Sequence, residues 1–137
     1  MALSHLADTS VLARLAKPEA CSVVRRLMAT ASLARCTISD LEIGASARNA
    51  DEWDALFRAV RTFATVDIDP TDVTRAGGIQ RALAAVGLRG RKLPDLLIAA
   101  AAERRGLTLL HYDRDFELIA DITGQSHEWV VPRGSID

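Results

Sequence analysis

Four acids in this chain stand where an apolar segment ends or a helix begins. They are Asp8 in LADTSVL, Glu42 in SDLEIGASAR, Asp95 in LPDLLIAAAA and Asp113 in LHYDRDFELIA. A fifth, Asp115, follows Asp113 by two residues. Each has an ordinary structural explanation. Asp8 could cap the helix after it, and Ser39 with Glu42 matches the S-x-x-E capping box. Pro94-Asp95 is a common first helical turn, and Asp113 could cap a helix that buries Phe116 and Leu118. Brought together, the same acids would do chemistry. Carboxylates a few ångströms apart repel on the order of several kcal/mol per close pair at intermediate dielectric. Protons or a cation must offset that repulsion. Oxygen donors with no His or Cys beside them select Mg2+ or Mn2+ over zinc. A carboxylate-held Mg2+ keeps waters, can orient or deprotonate one as nucleophile, and offsets charge on a phosphate. The chemistry implied is metal-assisted hydrolysis of a phosphoester.

Only a particular set of elements can bring these acids to one place. Short apolar runs at 3–8, 34–38, 64–69, 107–112 and 127–131 read as strands. Helical spacing is seen at 9–16, 18–31, from Ser39 onward, at 51–63, 70–87, 95–106 and 113–124. Pro18 suits a helix start, Gly77-Gly78 marks a weak point in the 70–87 helix, and Gly124 closes the last one. Residues 88–94, LRGRKLP, form a loop. Strands alternating with helices, and strands reading as continuous apolar runs, predict an α/β fold. Its layers are α/β/α, around a central, mainly parallel sheet of four to five strands. In such a sheet, strand C-termini and the following helix N-termini point to one edge, where ligands bind. Asp8 and Asp113 stand at two strand ends, and Glu42 and Asp95 in two helix first turns. Neighbouring strands would make all four converge.

Composition narrows the field further. At 137 residues the chain predicts one domain over 1–137. Aromatic residues are only 4 % of the total, so the core rests on Leu, Ile, Val and Ala, which favours tightly packed helices. A formal net charge of −1 argues against a general nucleic-acid coat, which must neutralise many phosphates. There is no D-x-D after the first strand, no GxxxxGKS-type loop, no GxGxxG and no GxSxG. His5, His111 and His127 show no ligand motif; packing or surface roles are expected, with His111 near the acids. Cys21 and Cys36 lie in apolar surroundings and read as small core residues rather than a disulfide. No apolar run reaches about 18 residues and no leader pattern is present, so a cytoplasmic, membrane-free protein is expected.

The quoted segments, with the late EWV, together resemble a PIN domain, and more narrowly the VapC toxins of bacterial type II toxin–antitoxin pairs. The resemblance covers nearly the whole chain, in order. It implies a Mg2+- or Mn2+-dependent endoribonuclease that leaves a 5′-phosphate and a 3′-hydroxyl. Carried over by position, Asp8, Glu42, Asp95 and Asp113 are the catalytic acids. Asp8, Asp95 and Asp113 hold the metal, with Glu42 orienting a water or binding a second ion. Asp115 matches an outer carboxylate that supports the site, and Thr9 or Ser10 a hydroxyl bonded to the cluster. The resemblance also implies a cognate VapB-type antitoxin and a homodimer. For an RNA substrate, Arg89, Arg91 and Lys92 on the 88–94 loop, and Arg114 between the two late acids, are the candidate phosphate contacts. Two rivals stand beside this. A non-catalytic PIN-like module that binds RNA or protein would keep the fold yet tolerate loss of single acids. A receiver-like signalling domain would need paired acids after the first strand and a lysine at a late strand end, and this chain has neither.

Overall fold

In the computed structural model, which describes residues 2–137, five short strands form one parallel sheet. They are β1 (His5–Ala7), β2 (Leu33–Cys36), β3 (Ala64–Val66), β4 (Thr108–His111) and β5 (His127–Trp129), in the spatial order β3-β2-β1-β4-β5. The register sets Leu6 beside Ala34 and Leu109, and His111 beside Trp129. Parallel neighbours require crossovers, and helices supply them. These are α1 (Thr9–Leu12), α2 (Pro18–Ala29), α3 (Thr37–Gly44), α4 (Ala50–Val60), α5 (Pro70–Ala85), α6 (Leu93–Arg105) and α7 (Asp115–Thr123).

Alternation along each strand divides the core in two, as a sheet covered on both faces demands. Leu6, Ala34, Cys36, Val66 and Leu109 pack with Ile79 and Leu83 of α5, Ile98 of α6, and Phe116 and Ile119 of α7. Ala7, Leu33 and Leu110 pack on the other side with Val11, Ala20, Val24 and Val60 from α1, α2 and α4. The alanines Ala99 to Ala102 are all buried, so α6 lies flush against its neighbours. Cys36 is buried, Cys21 half-buried, and both are free.

Several elements differ from the sequence expectation. The strands are shorter, and α1 is a single turn rather than a helix to residue 16. Helix α3 begins at Thr37, directly off β2, with Cys36 at its cap position and no side-chain cap. The expected Ser39–Glu42 capping box therefore does not form. Helix α5 runs unbroken through Gly77-Gly78. Its start is locked by a capping box in which Asp69 accepts from the Thr71 and Asp72 amides, and Asp72 accepts from the Asp69 amide. Arg104 of α6 adds two hydrogen bonds to the buried Asp72, at 2.8 and 2.9 Å. Gly106 and Gly124, with φ of +65° and +71°, end α6 and α7 in the left-handed conformation.

Arg35 on β2 was not foreseen in the core. It is 4 % exposed and fully satisfied: its guanidinium forks onto Asp40 of α3 and donates to the Val60 and Phe63 carbonyls. That bond set ties β2, α3 and the end of α4 together, and so fixes the helix that carries Glu42.

Candidate active site

Asp8, Glu42, Asp95 and Asp113 line one cleft of about 530 Å3 at the C-terminal edge of the sheet. Asp8 follows β1 directly, and Asp113 lies two residues beyond β4, the neighbour of β1 on one side. Glu42 comes from α3, which leaves β2 on the other side, and Asp95 from the first turn of α6. The edge is where a parallel sheet gathers its strand ends.

Local bonding fixes each acid. Asp8, 2 % exposed, caps α1: its Oδ2 accepts from the Ser10 amide at 2.9 Å, and its Oδ1 has no partner. The Thr9 hydroxyl lies 2.6 Å from Glu42 Oε1 and 2.8 Å from Ser39 Oγ, so Ser39 and Glu42 serve the cleft instead of their helix end. Ser10 Oγ accepts from the Tyr112 amide at 2.9 Å, joining α1 to the segment after β4. Asp113 Oδ1 accepts from the Asp115 amide at 2.9 Å and turns the chain into α7. Asp95 is 4 % exposed and its Oδ2 is buried without a partner.

The electrostatics follow from burial and crowding. Burial first, then the charges of Asp8, Asp113 and Glu42, push the Asp95 carboxyl up to about 8. Burial, with a smaller push from Glu42, moves Asp8 up to about 6. His111, buried behind Asp113, accepts from the Asp113 amide through Nδ1 at 3.3 Å and meets His127 Nδ1 through Nε2 at 2.9 Å. Burial is the main cause holding it down to about 4, so it stays neutral and structural.

The tightest trio of carboxylates differs from the expected Asp8, Asp95 and Asp113. One oxygen each from Asp95, Asp113 and Asp115 lies within 4.8 Å of the others. Asp8 lies outside this trio yet lines the cleft with a free Oδ1, whereas Asp115 belongs to the trio but is not among the cleft-lining residues. The expected phosphate contacts also separate. Lys92 and Arg114 line the cleft and are exposed; Arg89 is exposed and does not line it. Arg91 is committed to Asp115, its Nη1 donating to Oδ1 at 2.7 Å.

Other cleft residues escaped sequence reading. Arg14 donates to the Ser10 carbonyl, pairs with Asp137 and lies 4.9 Å from the centre of the Tyr112 ring. Trp129 and Arg133 complete that wall. Only the EWV motif hinted at any of them; the arginines depend on a chain end that folds back across the cleft, which no local pattern encodes.

The donor set suits a hard divalent cation. Two buried carboxylate oxygens lack partners, and the cleft lining holds no His or Cys among the described residues. Such a centre can activate water against a phosphoester.

Comparison with known proteins identifies the family of this fold. Residues 6–122 match the model of the PIN domain. The chain belongs to the PIN-domain family. Within that family it is 52 % identical to Ribonuclease VapC51 of Mycobacterium tuberculosis, with 100 % of both chains covered. It is 43 % identical to Ribonuclease VapC18 of the same organism over 94 % of this chain and 96 % of that one. In structure it is similar to the DNA-bound VapBC complex of Salmonella typhimurium, with a TM-score of 0.77 at 21 % identity, covering 94 % of this chain and 99 % of that one.

Proposed function

We propose that the chain is a VapC-type toxin, an endoribonuclease that hydrolyses RNA phosphodiester bonds at a divalent metal centre held by carboxylates. The observation that carries this is the convergence of acids from both sides of β1, with Asp8 Oδ1 and Asp95 Oδ2 buried and unpartnered. A module that only bound RNA or protein would have no use for two such oxygens, each costly to bury. The relatives' names as ribonucleases support the same reading.

In this mechanism Asp95 and Asp113 would hold the cation, with Asp8 completing the set from β1. A bound Mg2+ or Mn2+ would lower the pKa of a water and offset charge on the phosphate. Glu42, steadied by the Thr9 hydroxyl, faces the attacking water and takes up its proton. The water's oxygen bonds to phosphorus, the bond to the 3′ oxygen breaks, and that oxygen takes a proton from solvent, which leaves a 5′-phosphate and a 3′-hydroxyl. Thr9 and Ser10 keep Glu42 and the β4 end in register. Lys92, Arg114 and Arg133 supply positive charge along the path of the RNA backbone.

The partner reading follows the same family. A VapB-type antitoxin obstructs the cleft, and the toxin is a homodimer acting in the cytoplasm as a single domain. Its supports are the VapBC complex among the structural neighbours and the exposed apolar residues Leu41 on α3 and Trp53 on α4, which line one surface hollow. Among the described residues no helix is long and apolar enough to cross a membrane.

The test needs no knowledge of the RNA. Mn2+ and Mg2+ titrated into partner-free protein should raise its melting temperature with concentration. Asp8→Asn and Asp95→Asn should blunt that response. A wild type indifferent to both metals, beside variants that simply gain stability, would put a binding module ahead of the nuclease.

A further inference from the structure

Arg91 lies in the loop between α5 and α6, two residues before the helix that carries Asp95. Its side chain and that of Asp115 are 26 % and 23 % exposed, and the pair is joined at 2.7 Å. To reach Asp115, Arg91 leaves its own Nε buried and unpartnered. Asp115 is at the same time one of the three carboxylates whose oxygens lie within 4.8 Å of one another. A fixed guanidinium therefore sits on a carboxylate that any cation between Asp95 and Asp113 would also attract. Lys92 and Arg114, unlike Arg91, line the cleft, and neither is paired with an acid among the described residues.

We propose that Arg91 is a resident counter-cation that competes with the metal ion for Asp115, and so sets the affinity of the site. The physical basis is a contest of charge for one carboxylate. The guanidinium keeps its charge at every working pH and binds through planar, directed N–H groups. A compact divalent ion draws oxygens inward. Asp113 Oδ1 accepts from the Asp115 amide, which ties the Asp115 backbone to the Asp113 side chain and keeps the Asp115 carboxylate within reach of both cations. With Arg91 present, Asp115 stays outside the coordination shell and the ion relies on Asp95, Asp113 and Asp8. Without Arg91, Asp115 becomes an additional ligand. This inference rests on the metal-centre reading above. It gives Arg91 a role opposite to the RNA contact that its loop suggested: a positioning residue that limits metal binding.

The experiment is a Mn2+ titration read by the electron paramagnetic resonance of free Mn2+, with no RNA present. Arg91→Met should bind Mn2+ about tenfold more tightly than wild type. Asp115→Asn, which leaves the Arg91 charge unpaired, should bind no more tightly than wild type, and the double variant should lose most of the Arg91→Met gain. Lys92→Met serves as the comparison: any gain there is through space and survives Asp115→Asn. Should Arg91→Met lose its circular-dichroism signature, Arg91→Gln, similar in reach and neutral, takes its place. The proposal is overturned if removing Arg91 leaves affinity unchanged or weakens it, or if the gain persists without Asp115. The metal-centre reading fails separately if Asp95→Asn binds Mn2+ as wild type does.

Discussion

A carboxyl group pushed up to about 8 by burial and by three neighbouring acids, as at Asp95, holds a proton through much of the neutral range. Its value lies above the ordinary 3.8, so the folded state binds more protons than the unfolded chain. The stability gained this way is fully present below about pH 4 and is lost as pH rises through the folded value. Asp8, at about 6, acts in the same direction earlier in the titration. His111 opposes them: held down to about 4, it favours the fold increasingly as pH rises from there to 6.5. Above pH 6.5 only the carboxylates remain. Calorimetry of metal-free protein should therefore show the melting temperature falling from pH 6.5 to 8.5, with a shallower fall in Asp95→Asn. A flat profile would mean the two acids are less crowded than their geometry says. The four acids were legible in the sequence because a parallel sheet sends its strand ends to one edge. The unusual commitment of Arg91 to Asp115 was not, because it joins a loop to the first residue of α7, which approach only in the folded molecule.

Helix α3 shows what local reading captures and what tertiary packing overrides. Ser39 and Glu42 have the spacing of a capping box, but β2 passes straight into the helix at Thr37, and both side chains turn to Thr9 instead. The fit of this helix against α4 is tight. A Cβ at Gly44 would stand 2.3 Å from Trp53 Nε1 and 2.8 Å from Cδ1, and Trp53 is itself stacked on Phe57 with ring centres 5.2 Å apart. Gly44→Ala should destabilise the protein by about 1–3 kcal/mol and alter tryptophan fluorescence. Gly77 is the converse case. Nothing lies within 4 Å of its added Cβ, and it sits inside a continuous helix. Gly77→Ala should stabilise by about 0.5–1 kcal/mol in denaturant unfolding. The sequence marked Gly77-Gly78 as a weakness. It lacked the information that the Asp69–Asp72 box and Arg104 secure the start of α5.

For the molecule as a whole, a net charge of −1 leaves no long-range field to gather RNA. Attraction must come from the rim of the cleft, where Lys92, Arg114 and Arg133 stand among the acids. If each of these meets one phosphate, the salt dependence of single-stranded RNA binding should have a slope of about −2. Anisotropy of a labelled RNA on Asp95→Asn across a salt series would measure it. A much steeper slope would show that RNA runs well beyond the cleft. The α/β class and the two covered faces followed from alternating patterns along the chain. Strand order did not, since no periodicity tells β1 that its neighbours will be β2 and β4.

That central place of β1 has a consequence for how the protein is made. One neighbour, β2, emerges from the ribosome soon after it, while the other, β4, begins only at Thr108. Until β4 is translated and docked, Asp113 is missing from the cleft and the edge of β1 is open. A ribosome that has not yet reached Thr108 therefore carries a product whose cleft lacks the acid that follows β4.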